Sequence, residues 1–233
     1  MDWIIRQSPF THAAWALLVA TAIEQFAVGH GGWGWVALSG AGAILMWVLF
    51  ERYLGLAAPR SFIAGFAIFV VATLLLGEIR LFYARFPLWD YTMHTVAGIA
   101  FAAFGALPAR ALKVPPVLLF AFLFGTTCGV VWEIFEYAVD TTFGIDTQTD
   151  LTDTMHDLIC NTAGSAVGAW LGARWAAGRS TGPPGECLDD FVGANARLFG
   201  GCGEAGRSGT YRRRTVGKAL PPADAAGDDA PRP

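Results

Sequence analysis

Asp90 and His94 stand four residues apart, so any helix that holds them presents a carboxylate and an imidazole on one face. Glu133 and Glu136 are three apart, and Asp140 continues their row. Asp150, Asp153, Asp157 and Asn161 fall at intervals of three, four and four, which is one stripe along a helix. Hard carboxylate oxygens with a single imidazole suit a divalent cation: Mg²⁺, Mn²⁺, Ca²⁺ or Zn²⁺. The candidate ligands are Asp90, His94, Glu133, Glu136 and Asp157. Glu136 and Asp153 are candidates for a general base. Glu78, Asp150 and Asn161 are candidates for supporting the ligands from outside. Asp150 has an equal claim as a helix N-cap, with Asp153 in the first turn.

These residues sit in a chain that cannot live in water. Of its 233 residues 54% are hydrophobic and 15% charged, and mean hydropathy is +0.45. Soluble domains carry about 25% charged residues. A soluble enzyme and a disulfide-stapled secreted domain are therefore disfavoured. A net charge of −3 supplies no basic field for nucleic acid.

The fold class is all-α, an integral membrane bundle of about six transmembrane helices. The spans are predicted at 10–28, 33–50, 61–82, 91–109, 117–139 and 154–176, each near the roughly 20 residues that cross a bilayer. Residues 1–177 form this domain. Residues 178–233 hold 11 Gly and 6 Pro and no sustained apolar period, and are predicted to be a disordered, low-complexity cytoplasmic tail.

Lys and Arg set the orientation. Placing both termini inside puts 14 of the 16 basic residues on the cytoplasmic side. Ten of the 12 acidic residues in 1–177 then lie at the outer end. Glycines follow the polar stripes: Gly98 and Gly105 after His94, Gly125 and Gly129 before Glu133, and Gly164, Gly168 and Gly172 after Asn161. Small residues at this spacing let membrane helices pack closely, and they turn the polar stripes inward.

An ionised carboxylate at mid-membrane costs about 2.5–3.5 kcal/mol on insertion scales. An acidic cluster must hold protons, bind cations or open to water. Several carboxylates around one imidazole could also be a polar network that only fixes packing. Di-iron is disfavoured, because two Glu-x-x-His pairs are missing, and the loop 146–150 lacks the central Gly of an EF-hand. Glu24 and Glu78 lie near outer span ends, and Glu78 could pair with Arg80 or Arg85. His156 is off the stripe, His30 lies in a loop, and Cys128 and Cys160 serve as small apolar residues.

The segments Trp89-Asp90-Tyr-Thr-Met-His94, Trp132-Glu133-Ile-Phe-Glu136 and Asp146-Thr-Gln-Thr-Asp150-Leu-Thr-Asp153-Thr-Met-His-Asp157, with Asn161 and Gly164, resemble the YjdF-like family of bacterial inner-membrane proteins. The likeness covers about 60–177 by motif and the first two spans by topology. It implies a multi-pass protein of the bacterial plasma membrane. No biochemical function comes with it.

Two functional classes follow. One is a membrane-embedded, metal-dependent hydrolase acting on a lipid or lipid-linked substrate at the outer leaflet. The other is a proton- or cation-coupled transporter or sensor, and a structural protein without catalysis is the plain alternative. Transport is disfavoured by the one-sided cluster and by the absence of an inverted repeat. No motif for an organic cofactor or for nucleic acid is present.

Overall fold

A computed structural model describes residues 7–111, 116–144, 147–179 and 182–199. Among them all regular structure is helical. The long helices are α1 (Pro9–Ala27), α2 (Gly31–Leu49), α3 (Arg60–Val70), α5 (Pro87–Ala111), α6 (Val117–Phe143) and α7 (Leu151–Ala176). A short α4 (Phe82–Arg85) precedes α5, and α8 (Pro183–Ala194) and α9 (Ala196–Phe199) follow α7. The six long helices match the six predicted spans to within a few residues, provided that α3 is taken together with the π-helical stretch Val71–Ile79 that continues it. Among the described residues three stretches are long and apolar enough to cross a membrane: Arg60–Ile79, Leu88–Ala111 and Val117–Thr142. Large apolar side chains face outward throughout, among them Ile23, Ile68, Ile134 and Ile159. In water such a surface would be untenable, whereas lipid solvates it.

Local chemistry sets the helix ends. Ser8 accepts from the Thr11 N–H at 3.1 Å and Pro9 opens α1. Gly144, at φ 65°, closes α6 in the left-handed conformation that glycine adopts without steric cost. Asp150 caps α7 through the N–H groups of Thr152 and Asp153, at 2.6 and 3.0 Å.

Two helices are less regular than their sequence pattern predicts. α2 runs on into a π-helical stretch, Phe50–Leu54, and α3 into a longer one, Val71–Ile79. Side chains stabilise the second departure. Thr73 Oγ1 donates to the Phe69 and Val70 carbonyls, and Trp89 Nε1 donates to the Ala72 carbonyl at 3.3 Å. The chain then reverses at Leu81, a non-glycine at φ 59°, and folds Tyr83 back onto Gly77. The Tyr83 ring fills the space that a Cβ on Gly77 would need.

Packing divides into two clusters. Leu18, Ile44, Ala67 and Val70 join α1, α2 and α3. Ala102, Ala106, Ala121, Ala169 and Trp175 join α5, α6 and α7. Within the second cluster backbones touch. A Cβ on Gly98 would strike the Asn161 carbonyl, and one on Gly164 or Gly168 would strike the carbonyls of Thr95 or Ile99. Gly98, Gly164 and Gly168 thus lie in the contact face between α5 and α7, and Gly105, Gly125 and Gly129 in the contacts that α6 makes with them, as their spacing predicts.

The tail expectation needs correcting for residues 183–199. They form α8 and α9, and Leu188, Phe191 and Phe199 are buried against the second cluster. Asn195 ties them down, accepting from the Ala57 N–H at 2.8 Å and donating to the Ala57 carbonyl at 2.7 Å. Trp175 Nε1 donates to Asp189 at 2.8 Å. Composition hid this helix because glycine and proline are nearly as frequent in it as in the sequence after it, and the apolar period Leu188, Phe191, Val192 is too short to stand out. Beyond 199 the tail expectation lies outside the described residues.

Candidate metal centre

α5, α6 and α7 each deliver one part of the acidic cluster to the same end of the bundle. His94 on α5 lies at its centre. Its Nε2 is 3.4 Å from Asp90 Oδ1 and 3.9 Å from Asp157 Oδ1, and its Nδ1 is 3.7 Å from Glu133 Oε1. These separations are too long for good hydrogen bonds. One ligand atom from each of Asp90, His94 and Asp157 lies within 4.8 Å of the others. Ligands on opposite sides of a divalent ion are separated by twice the metal–oxygen distance, about 4 Å for Mg²⁺ and about 5 Å for Ca²⁺.

Apart from Asp90, which is half-buried, the cluster is enclosed. His94 is 9% exposed, Glu133 5%, Asp157 4% and Asn161 2%. Glu133 Oε1, Asp157 Oδ1 and Asn161 Oδ1 are buried without a hydrogen-bond partner. Leaving a buried acceptor unsatisfied costs about 1–3 kcal/mol, and more for a charge. Asp157 Oδ1, beside Asp90 and His94 Nε2, is an acceptor that a cation would satisfy, while Glu133 Oε1 faces the opposite ring nitrogen and Asn161 packs on Gly129.

The other candidate residues lie around this centre. Glu136, half-buried, is within electrostatic reach of Glu133, His94 and Glu78, but both Glu133 and Glu136 are outside the group whose atoms could share one ion. Glu78 is within reach of Asp90 and Asp140. Asp153 accepts from the Thr149 N–H at 3.2 Å. Asp150 is engaged as the N-cap of α7, and the amides of Asp153 and Thr152 hold its carboxyl below the usual carboxylate range. Asp140 accepts from the N–H groups of Thr147 and Gln148 and so fastens the α6–α7 loop. Asp146 lies outside the described residues.

Arg80 pairs with Glu24 at 3.2 Å, so its local pairing with Glu78 is replaced by a link between the end of the π-helical stretch and α1. His156 stays out of the cluster and bonds the Tyr91 hydroxyl at 2.9 Å.

Two participants escape sequence reading. Gln148 donates Nε2 to Glu133 Oε2 at 3.0 Å and to the Glu133 carbonyl at 3.1 Å. Its place between Asp146 and Asp150 was the available signal, but only the acidic residues of that loop look like ligands. Tyr83 is electrostatically coupled to Asp90, Glu78, Glu136 and Asp157. Only the reversal at Leu81 brings it there, and nothing in the local sequence announces that turn.

Against known proteins, the family model described as "Predicted membrane protein (DUF2238)" matches residues 10–178. The chain belongs to the DUF2238 family. The matched region includes all six long helices and the whole acidic cluster. An "Uncharacterized protein" of Thermotoga maritima is 32% identical over 111 residues, which are 45% of this chain and 58% of that protein. The match therefore spans little more than half of that relative's length. No solved structure matches. Membership of DUF2238 and three helices fit to cross a bilayer place the protein in a membrane.

Proposed function

We propose that this DUF2238 protein binds one divalent metal ion through Asp90, His94 Nε2 and Asp157, with Glu133 on the opposite ring nitrogen, Nδ1, where it orients the imidazole. We further propose that it uses the ion to hydrolyse a lipid or lipid-linked substrate. The observation that carries the reading is the convergence of Asp90, His94 and Asp157, in which Asp157 Oδ1 is buried without a partner 3.9 Å from His94 Nε2 and Glu133 Oε1 faces the opposite ring nitrogen. An ion held there would polarise an ester or phosphoryl oxygen and lower the pKa of a bound water. Glu136 or Asp153, beside the ligands, would take the proton. The positive-inside distribution of Lys and Arg supports a bacterial plasma-membrane protein with cytoplasmic termini and the site at the outer leaflet. The motif likeness to the YjdF-like family is compatible with that location.

A transported cation would need a path onward. Past Asn161, Gly164 and Gly168 close directly on the α5 backbone, which favours a site at one end over a pathway.

Elemental mass spectrometry on detergent-purified protein tests the metal. About one ion per chain is expected, lost in Asp157→Asn and in His94→Ala. No bound metal after loading with Mn²⁺, Zn²⁺ or Ca²⁺ would overturn the reading and leave a protonated His94 bridging three carboxylates.

A further inference from the structure

Beside the acidic cluster lies a cavity of about 570 Å³, within the range of about 300–1,000 Å³ usual for ligand sites. It has one polar end, where Tyr83, His94 and Asn161 meet it. The rest of the wall is almost wholly apolar, including Phe66, Phe69, Met93 and Ala97. From His94 it follows α5 inward to Phe101, and seven residues of helix cover about 10 Å. Its walls come chiefly from α3, α5 and α6 with their π-helical continuation, the same three stretches that are fit to span the bilayer. Phe101, Val131, Trp132 and Phe135 line the cavity and are also exposed on the outer surface of the bundle. The cavity is therefore continuous with a surface that faces hydrocarbon.

We propose that this cavity holds one hydrocarbon chain of a membrane lipid, entering sideways between α3 and α6, with the polar headgroup at His94. Water is a poor occupant of an apolar space of this size, and the medium at its mouth is lipid. The polar end and the apolar length match the two parts of a lipid. The headgroup's position deepens the reading of the metal centre and rests on it. The seating of the chain does not.

The test uses full-length protein in vesicles of phosphatidylethanolamine and phosphatidylglycerol. The probe is a phosphatidylethanolamine with a diazirine midway along one acyl chain. After irradiation, adducts are mapped by mass spectrometry. Labelling is expected at Phe69 and Met93, inside the cavity, above that at Ile159 on the outer surface. Ala97→Trp and Ala43→Phe fill the cavity. Each should lower labelling at Phe69 and Met93 at least about tenfold, which two methylenes kept from burial already account for, with Ile159 unchanged. Labelling of Phe69 and Met93 no stronger than that of Ile159 in the unaltered protein, or undiminished in both variants, would overturn the proposal. Metal content is read on the same samples. Metal without cavity labelling removes the chain site alone, and labelling without metal removes only the metal reading.

Discussion

Gln148 holds Glu133 Oε2 at 3.0 Å, and this leaves Oε1 of the same carboxylate turned toward His94 without a hydrogen bond. A neutral amide from the α6–α7 loop thus sets the rotation of a carboxylate on α6 with respect to an imidazole on α5. Partners of this kind orient metal ligands, and their loss typically lowers metal affinity about 10–100-fold. Gln148→Leu is expected to weaken Mn²⁺ binding by that factor and to leave helix content unchanged. Titration of the purified variant with Mn²⁺, followed by electron paramagnetic resonance, checks it. Unchanged affinity would mean that Gln148 only closes the loop.

The glycines divide into two kinds. A Cβ on Gly168 would meet the Ile99 backbone, which cannot give way, whereas one on Gly65 or Gly42 would meet nothing within 4 Å. Gly168→Ala is expected to destabilise the bundle by about 1–3 kcal/mol, as overpacking does. Gly65→Ala should be neutral or stabilising by up to about 1 kcal/mol. Thermal unfolding of the two variants in one detergent decides the matter. Equal effects would contradict the contact between α5 and α7.

Asn195 makes both of its Ala57 contacts across 138 positions of sequence. Asn195→Ala leaves a backbone donor and acceptor without partners, at a cost of about 1–3 kcal/mol. Hydrogen exchange should quicken at residues 55–59 and across α8, with metal content unchanged. Unaltered exchange at 55–59 would show that apolar burial of Phe191 and Phe199 alone fixes α8.

The N-terminus of α7 should respond to acid through Asp150. Its folded pKa is depressed by the amides of Asp153 and Thr152. The stabilisation is therefore present above the unfolded value of about 3.9 and is lost as pH falls through the lower folded value. Protection of the Thr152 and Asp153 amides should decline in that acid range. Asp150→Asn, an equally good cap without a charge, should keep its protection there. Equal acid sensitivity in both proteins would assign the response to another group.

The residue pattern by itself determined that the chain is a helical membrane bundle and where its long helices run. Uncharged stretches of about 20 residues have few alternatives in lipid, where every backbone group must bond within its own segment. The same pattern placed Asp90, His94, Glu133, Asp157 and Asn161 on inward faces, because helical spacing and the glycine rows both follow the period of 3.6. Tertiary structure decided which carboxylates meet. Asp90, His94 and Asp157 converge and Glu133 and Glu136 stand outside that group, since a helical row fixes direction without fixing depth or rotation between helices. It also decided the parts that depend on contacts distant in sequence. Tyr83 arrives through the turn at Leu81, Gln148 through the folded α6–α7 loop, and α8 docks through Asn195 and Ala57. The cavity belongs to the same class, because an empty volume is set by three helices at once and no single segment encodes it.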